Sequence, residues 1–138
     1  MNDMEGFRYH YDLEVRWSEV DAQRIVFNAN YLMYLDLAYQ EFFRSELRLY
    51  DDVPTTVIAT STQTFLKPAR WRDKLSIWVR PKRIGNTSVT LEFVMTREGE
   101  PIFRAETVYV HVDENGRPEP IPAFWRERLR AYQEEALA

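Results

Sequence analysis

The stretch Glu19-Val20-Asp21-Ala22-Gln23-Arg24-Ile25-Val26-Phe27-Asn28-Ala29-Asn30-Tyr31 decides the fold. It opens as a polar turn carrying one carboxylate, Asp21, crosses a short apolar run, and enters a helical pattern reaching toward Tyr50. Tyr31, Leu32, Met33, Tyr34, Leu35, Leu37, Ala38, Tyr39, Phe42, Phe43, Leu47 and Leu49 leave little of that helix polar. A helix apolar on most sides is surrounded by protein. The sequence therefore predicts a central helix with an acid just before its N-terminus, capped by Asn28 or Asn30. It should fade near Asp51-Asp52, and Pro54 bars any continuation.

Strand chemistry lies on both sides. Tyr9, Tyr11, Leu13, Val15 and Trp17 alternate with His10, Asp12, Glu14 and Arg16, the period of a half-buried strand. After the helix, Thr55 to Leu66 is rich in β-branched residues and free of Gly and Pro. A basic connection, Lys67-Pro68-Ala69-Arg70-Trp71-Arg72-Asp73, leads to a strand marked by Leu75, Ile77 and Val79. Pro81 predicts an edge or a bulge at the far end of that strand. Gly85-Asn86 and Glu98-Gly99-Glu100 are turns. Between and after them run two more strands, the last with Phe103, Ala105, Thr107, Tyr109 and His111 on one face. A charged helical segment, Phe124 to Leu137, closes the chain.

A strand, a buried helix and four strands with short connections indicate an α+β fold. The expected architecture is a five-stranded antiparallel sheet wrapped around one long helix, with a short C-terminal helix, as a single domain spanning residues 1–138. Such a sheet has open edges, and pairing two sheets edge to edge covers them. A homo-oligomer is expected.

Composition narrows the function. The 138 residues carry a net charge of −4, which argues against a nucleic-acid partner. No cysteine is present, so disulfides, thiolate metal sites and a Cys nucleophile are excluded. No apolar run reaches the ~18 residues of a membrane span, and the first residues lack a signal peptide's pattern. A cytoplasmic protein is the expectation. No P-loop, G-x-G-x-x-G or G-x-S-x-G stands among the four glycines. His10 and His111 have no second ligand at metal spacing.

Asp21 is the leading candidate for chemistry, as general base or nucleophile on an acyl carbon, with helix-start N–H groups stabilising the oxyanion. From spacing alone, a capping or solvated carboxylate is the commoner reading. Glu41 and Asp36 sit in the apolar helix; Glu41 is a candidate to orient a water, or a partner for Arg44. Glu19 is expected to be solvated. Lys67, Arg70, Arg72, Lys82 and Arg83 flank one strand and are candidates for holding phosphates. Phe27, Tyr31, Tyr34, Trp71 and Trp78 are candidates to line an acyl pocket, though aromatics at such spacings also serve as core.

Asp21 through Tyr31, Tyr34-Leu35-Asp36-Leu37-Ala38, Glu41-Phe42-Phe43-Arg44, Phe65-Leu66-Lys67-Pro68-Ala69 with Asp73, Gly85-Asn86-Thr87-Ser88 and Val112 to Pro118 followed by Ile121-Pro122 together resemble the hotdog-fold acyl-CoA thioesterases of the 4-hydroxybenzoyl-CoA thioesterase type. The resemblance covers almost the whole chain. It implies a dimer with a continuous sheet, often a homotetramer, and active sites between protomers. It implies hydrolysis of an acyl-CoA, with Asp21 as the catalytic carboxylate and the backbone N–H of Asn28 or a neighbour polarising the carbonyl. CoA is then part of the substrate, and no metal or other cofactor is required. Arg24 stands where such proteins commonly carry Gly, and Asn28 where one branch has His. A non-catalytic acyl-CoA or fatty-acyl binding protein on the same fold is the alternative. Hydration of an acyl thioester is a lesser rival, because no His stands at the helix start.

Overall fold

The computed structural model describes residues 4–49 and 55–137, with side chains through Glu134. Strand β1 (Tyr9–Glu14) leads through a 3₁₀ turn, Trp17–Glu19, to helix α1 (Asn28–Glu41). Strands β2 (Thr56–Phe65), β3 (Lys74–Ile84), β4 (Ser88–Arg97) and β5 (Glu100–His111) follow, then helix α2 (Ala123–Leu137). All strand pairs are antiparallel, in the order β1-β3-β4-β5-β2.

The sheet curls around α1 because β3, β4 and β5 each carry a buried apolar face, with partly buried Tyr9, Tyr11 and Leu13 of β1 packed against it. Leu75, Ile77 and Val79 of β3, Leu91, Phe93 and Met95 of β4, and Phe103, Ala105 and Tyr109 of β5 meet Tyr31, Tyr34, Leu35, Ala38 and Tyr39 of α1 in one core. Two aromatic rungs fix the helix on the sheet. Tyr31 stacks on Phe103 at 4.9 Å, and Tyr39 lies parallel to Tyr109 at 4.0 Å. Such pairs add roughly 0.5–1.5 kcal/mol each beyond the area they bury.

Turn chemistry sets the register. Glu98 and Gly99 both have positive φ, 51° and 80°, and join the paired residues Arg97 and Glu100. A two-residue hairpin needs that geometry to match strand twist. At Pro81, β3 bulges between Pro81 and Arg83. Pro81 is tolerated because β1 pairs with β3 only as far as Val79, so no neighbour on that side needs its missing N–H.

Three expectations are corrected. Trp17 is not the last residue of β1. The strand stops at Glu14, because the chain turns into the 3₁₀ helix, and Trp17 is left 60% exposed. The central helix is shorter than its apolar pattern. Its α-helical segment ends at Glu41, widens into a π turn at Phe42–Glu46, and stops where Arg48 adopts a φ of 58°. The expected end near Asp51-Asp52 and Pro54 lies outside the described residues. Nor is the helix enclosed on every side by this chain. Leu32 and Met33 of α1 face out, as do Ile58 and Phe65 of edge strand β2, because five strands wrap only part of the cylinder. The C-terminal helix has 15 residues, one more than α1.

Candidate active site

The turn before α1 is a small hairpin. Val20 bridges Val26, the Asp21 N–H donates to the Ile25 carbonyl at 2.9 Å, and the Arg24 N–H donates to the Asp21 carbonyl at 2.9 Å. Three residues, Ala22, Gln23 and Arg24, form its tip. Tips of this length commonly end in a left-handed residue, and Arg24 takes that place with a φ of 65°. A residue with a Cβ is disfavoured there by roughly 1 kcal/mol, which is the physical reason Gly suits the position. The Arg24 side chain is exposed.

Asp21 is half-buried, and its Oδ1 accepts the Gln23 N–H at 2.8 Å. One carboxylate oxygen therefore shapes the turn, and the other remains for solvent or substrate. The hairpin is tied to the domain on both sides. The Val26 N–H donates to the Ala69 carbonyl, and the Phe27 N–H donates to the Glu19 carbonyl.

Helix α1 begins without a side-chain cap. Phe27, rather than Asn28 or Asn30, holds the capping position, because its extended backbone turns the chain into the helix. Asn30 is used elsewhere: its Nδ2 donates to the Glu19 carbonyl at 2.8 Å, and its N–H goes to the Phe27 carbonyl. Asn28 and Ala29 are exposed at the first two helical positions, where an amide has no intrahelical acceptor. An uncapped helix start of this kind favours a negative or polarised oxygen.

Glu19 was expected in solvent and is instead 5% exposed. Its carboxylate accepts the Arg16 N–H at 2.8 Å, the Arg16 guanidinium at 2.7 and 3.0 Å, and the Tyr34 hydroxyl at 2.9 Å. Burial pushes its carboxyl up, but the hydrogen bonds from Arg16 and Tyr34 outweigh burial and hold it below the usual carboxylate range. Burial and the neighbouring Glu19 raise the Tyr34 hydroxyl. Glu19 thus locks the 3₁₀ turn onto α1. Its one signal in the sequence is Arg16 three residues earlier, a spacing that brings two side chains together on a helical turn.

The model of the thioesterase-like superfamily matches residues 15–129. The chain belongs to that superfamily. Among solved structures, a Thermus thermophilus thioesterase complexed with coenzyme A and Zn shares 31% identity, with a TM-score of 0.85 over 95% of this chain and 98% of that one. A predicted thioesterase from Bacillus stearothermophilus shares 25% identity at a TM-score of 0.81, over 90% of this chain and 95% of that one. The 1,4-dihydroxy-2-naphthoyl-CoA hydrolase of Thermosynechococcus vestitus is 27% identical over 137 residues, 91% of each chain. The fold of this thioesterase-like chain is the hotdog: an antiparallel sheet around one long helix.

Other predicted site residues fall in three places. Arg24, Phe27, Arg70, Arg72 and Trp71 gather around the hairpin, since Ile25 bridges Arg70 and the Arg72 N–H donates to the Val15 carbonyl. Phe27 is 54% exposed there. Lys82 and Arg83 sit at the far end of β3, roughly 30 Å from Arg72 at the rise of an extended chain. Flanking one long strand separates the basic residues instead of clustering them. Lys67 pairs with Glu100 at 2.8 Å and Lys82 with Glu106 at 3.0 Å. Glu41 lies at the other end of α1, about 20 Å along the helix from Asn28, and binds Arg44 at 2.9 Å. Asp36 is exposed and accepts from Gln40.

The aromatic pocket candidates divide likewise. Tyr31 and Tyr34 are core: Tyr31 is 2% exposed and its hydroxyl accepts the Ala69 N–H at 3.0 Å. Trp78 lies on the outer face of the sheet, its ring tilted against His10 at 4.3 Å and its indole N–H donating to Thr96. Tyr31 and Tyr34 brace the hairpin from beneath, through Ala69 and Glu19, whereas strand alternation sends Trp78 to the opposite face of the sheet. His111 is buried beside Glu119 and Trp125. Among the described residues, no three His, Asp or Glu side chains are placed to hold a metal ion.

Proposed function

We propose that this chain hydrolyses an acyl-CoA thioester to the free acid and CoA, with Asp21 as general base or nucleophile. The observation that carries the reading is a carboxylate fixed in a tight hairpin immediately before an uncapped helix start, in a chain of the thioesterase-like superfamily. The thioester oxygen sits at the amides of Asn28 and Ala29, which polarise the carbonyl. The free oxygen of Asp21 either takes a proton from an attacking water or attacks the carbonyl carbon itself, in which case water afterwards hydrolyses the resulting acyl–Asp21 anhydride to release the acid. The carbon–sulfur bond then breaks and CoA leaves as a thiolate, a good leaving group that needs no strong general acid. CoA is part of the substrate.

Related proteins act on CoA thioesters or carry CoA, which supports this substrate class. Arg24, Arg70 and Arg72 are the basic residues nearest the hairpin and are assigned the CoA phosphates. The proposed assembly is a dimer through the β2 edge, or a tetramer, with sites between protomers. Exposed Val57, Ile58 and Phe65 on that strand, whose outer edge has no neighbour, and exposed Leu32 and Met33 of α1 support the pairing. No described helix is long and apolar enough to cross a membrane, and the proposed location is the cytoplasm.

The test is thiol release by the purified protein across short, long and aryl acyl-CoAs. Turnover of at least one class is expected. Stoichiometric CoA-thioester binding with no thiol release from any of them would favour the non-catalytic reading.

A further inference from the structure

Two tryptophans stand in the open beside the hairpin. Trp17 is 60% exposed and Trp71 is 45% exposed, yet their rings contact each other at 5.0 Å and 70°. They come from segments 54 positions apart, Trp17 in the 3₁₀ turn and Trp71 in the loop before β3, joined by the backbone bond from Arg72 to Val15. Arg72 lies over the Trp71 ring at 4.8 Å. The pair makes an L-shaped apolar corner with a guanidinium on one wall.

The surrounding charge is unbalanced. Of the described ion pairs, none involves Arg24, Arg70 or Arg72, whereas Lys67, Lys82 and Arg97 are each matched by a carboxylate. In a chain whose net charge is −4, three guanidiniums without an ion pair thus stand around two exposed indoles. Two of the three, Arg24 and Arg72, also occupy left-handed backbone positions, with φ of 65° and 68°. Stacking indoles with unpaired guanidiniums is the chemistry that holds a purine and its phosphates.

We infer that the Trp17–Trp71 corner is the seat of the adenine of CoA. The inference rests on the acyl-CoA reading above and adds the base-binding element. Adenine lies flat on one indole with its edge toward the other, which places its phosphates among Arg24, Arg70 and Arg72. The pantetheine arm then runs toward Asp21, four residues from Trp17. An enzyme built this way distinguishes a CoA ester from the same acyl group on a shorter thiol.

Two measurements decide it. The first titrates adenosine 3′,5′-bisphosphate and CoA against tryptophan fluorescence and does not depend on turnover. Saturable quenching is expected, with affinity reduced about tenfold in Trp17→Ala and in Trp71→Ala. The second compares kcat/KM for an acyl-CoA with that for the N-acetylcysteamine thioester of the same acid. The ratio should fall about tenfold in either variant, through KM. Equal affinity in the variants, or an unaltered ratio, would overturn the inference. So would a variant that loses its oligomeric state by analytical ultracentrifugation while keeping its CoA affinity, since the corner would then be a subunit contact. A wild-type protein that binds the bisphosphate at this corner but hydrolyses nothing would refute the hydrolase reading and leave the adenine seat standing.

Discussion

The two ends of α1 are finished differently. At its C-terminal end the polar groups are consumed by the protein itself. The Arg128 guanidinium donates to the carbonyls of Leu47 and Arg48 at 2.8 and 2.7 Å, Glu41 pairs with Arg44, and the Leu49 N–H returns to the Phe43 carbonyl. At the N-terminal end no side chain caps the helix, and a carboxylate is held just ahead of it. A helix end buried in its own hydrogen bonds is a stability device. An end left open beside a fixed acid is a place for a ligand, and that contrast locates the site.

The contrast can be broken or sharpened by substitution. In stability, the largest effect is expected at Glu19, which braces the open end from beneath. Glu19→Ala leaves the buried Tyr34 hydroxyl without its acceptor, while exposed Arg16 is solvated, and should cost roughly 2 kcal/mol in chemical denaturation. Its carboxyl lies lower in the folded protein than in the unfolded chain. The stability it contributes is therefore present above the unfolded value of about 4.5 and lost as pH falls below it. Melting curves from pH 7 to pH 3 should show that loss in the wild type and a shallower one in Glu19→Gln.

Arg128→Ala tests the closed end. It frees two carbonyls and should lower stability by about 1 kcal/mol, with thiol release retained. A comparable loss of turnover would mean that the closed end also serves the chemistry. The smallest effect belongs to Arg24→Gly, which relieves a left-handed backbone at the hairpin tip. Denaturant titration should show a gain of about 0.5 kcal/mol; a net loss would show that the Arg24 side chain makes a stabilising contact.

Much of this contrast is legible in the sequence, though not all of it. Alternation in Leu75–Val79, Val89–Met95 and Phe103–His111 was enough to place three strands, because each has one face in the core. The edge strand and the helix were recognisable by their uninterrupted apolar and β-branched runs. The end of α1 was not, because Leu47 and Leu49 are buried in a cap rather than a helical turn, and periodicity does not separate the two. Asp21 could be singled out only as an acid before a helix. Its hairpin depends on Arg24 accepting a conformation that propensity assigns to Gly. Glu19 reads as a surface acid in the sequence, because Tyr34 becomes its partner only when the turn folds onto α1. Trp17 and Trp71 likewise meet only through the Arg72–Val15 bond.

The most direct test of the account is the turnover of Asp21→Asn on the best acyl-CoA of the panel. Asparagine retains an Oδ1 for the Gln23 N–H, so the hairpin survives and only the charge is lost. The account predicts a kcat/KM lower by roughly 10²–10⁴-fold, with the melting temperature nearly that of the wild type. Wild-type turnover in Asp21→Asn would contradict it.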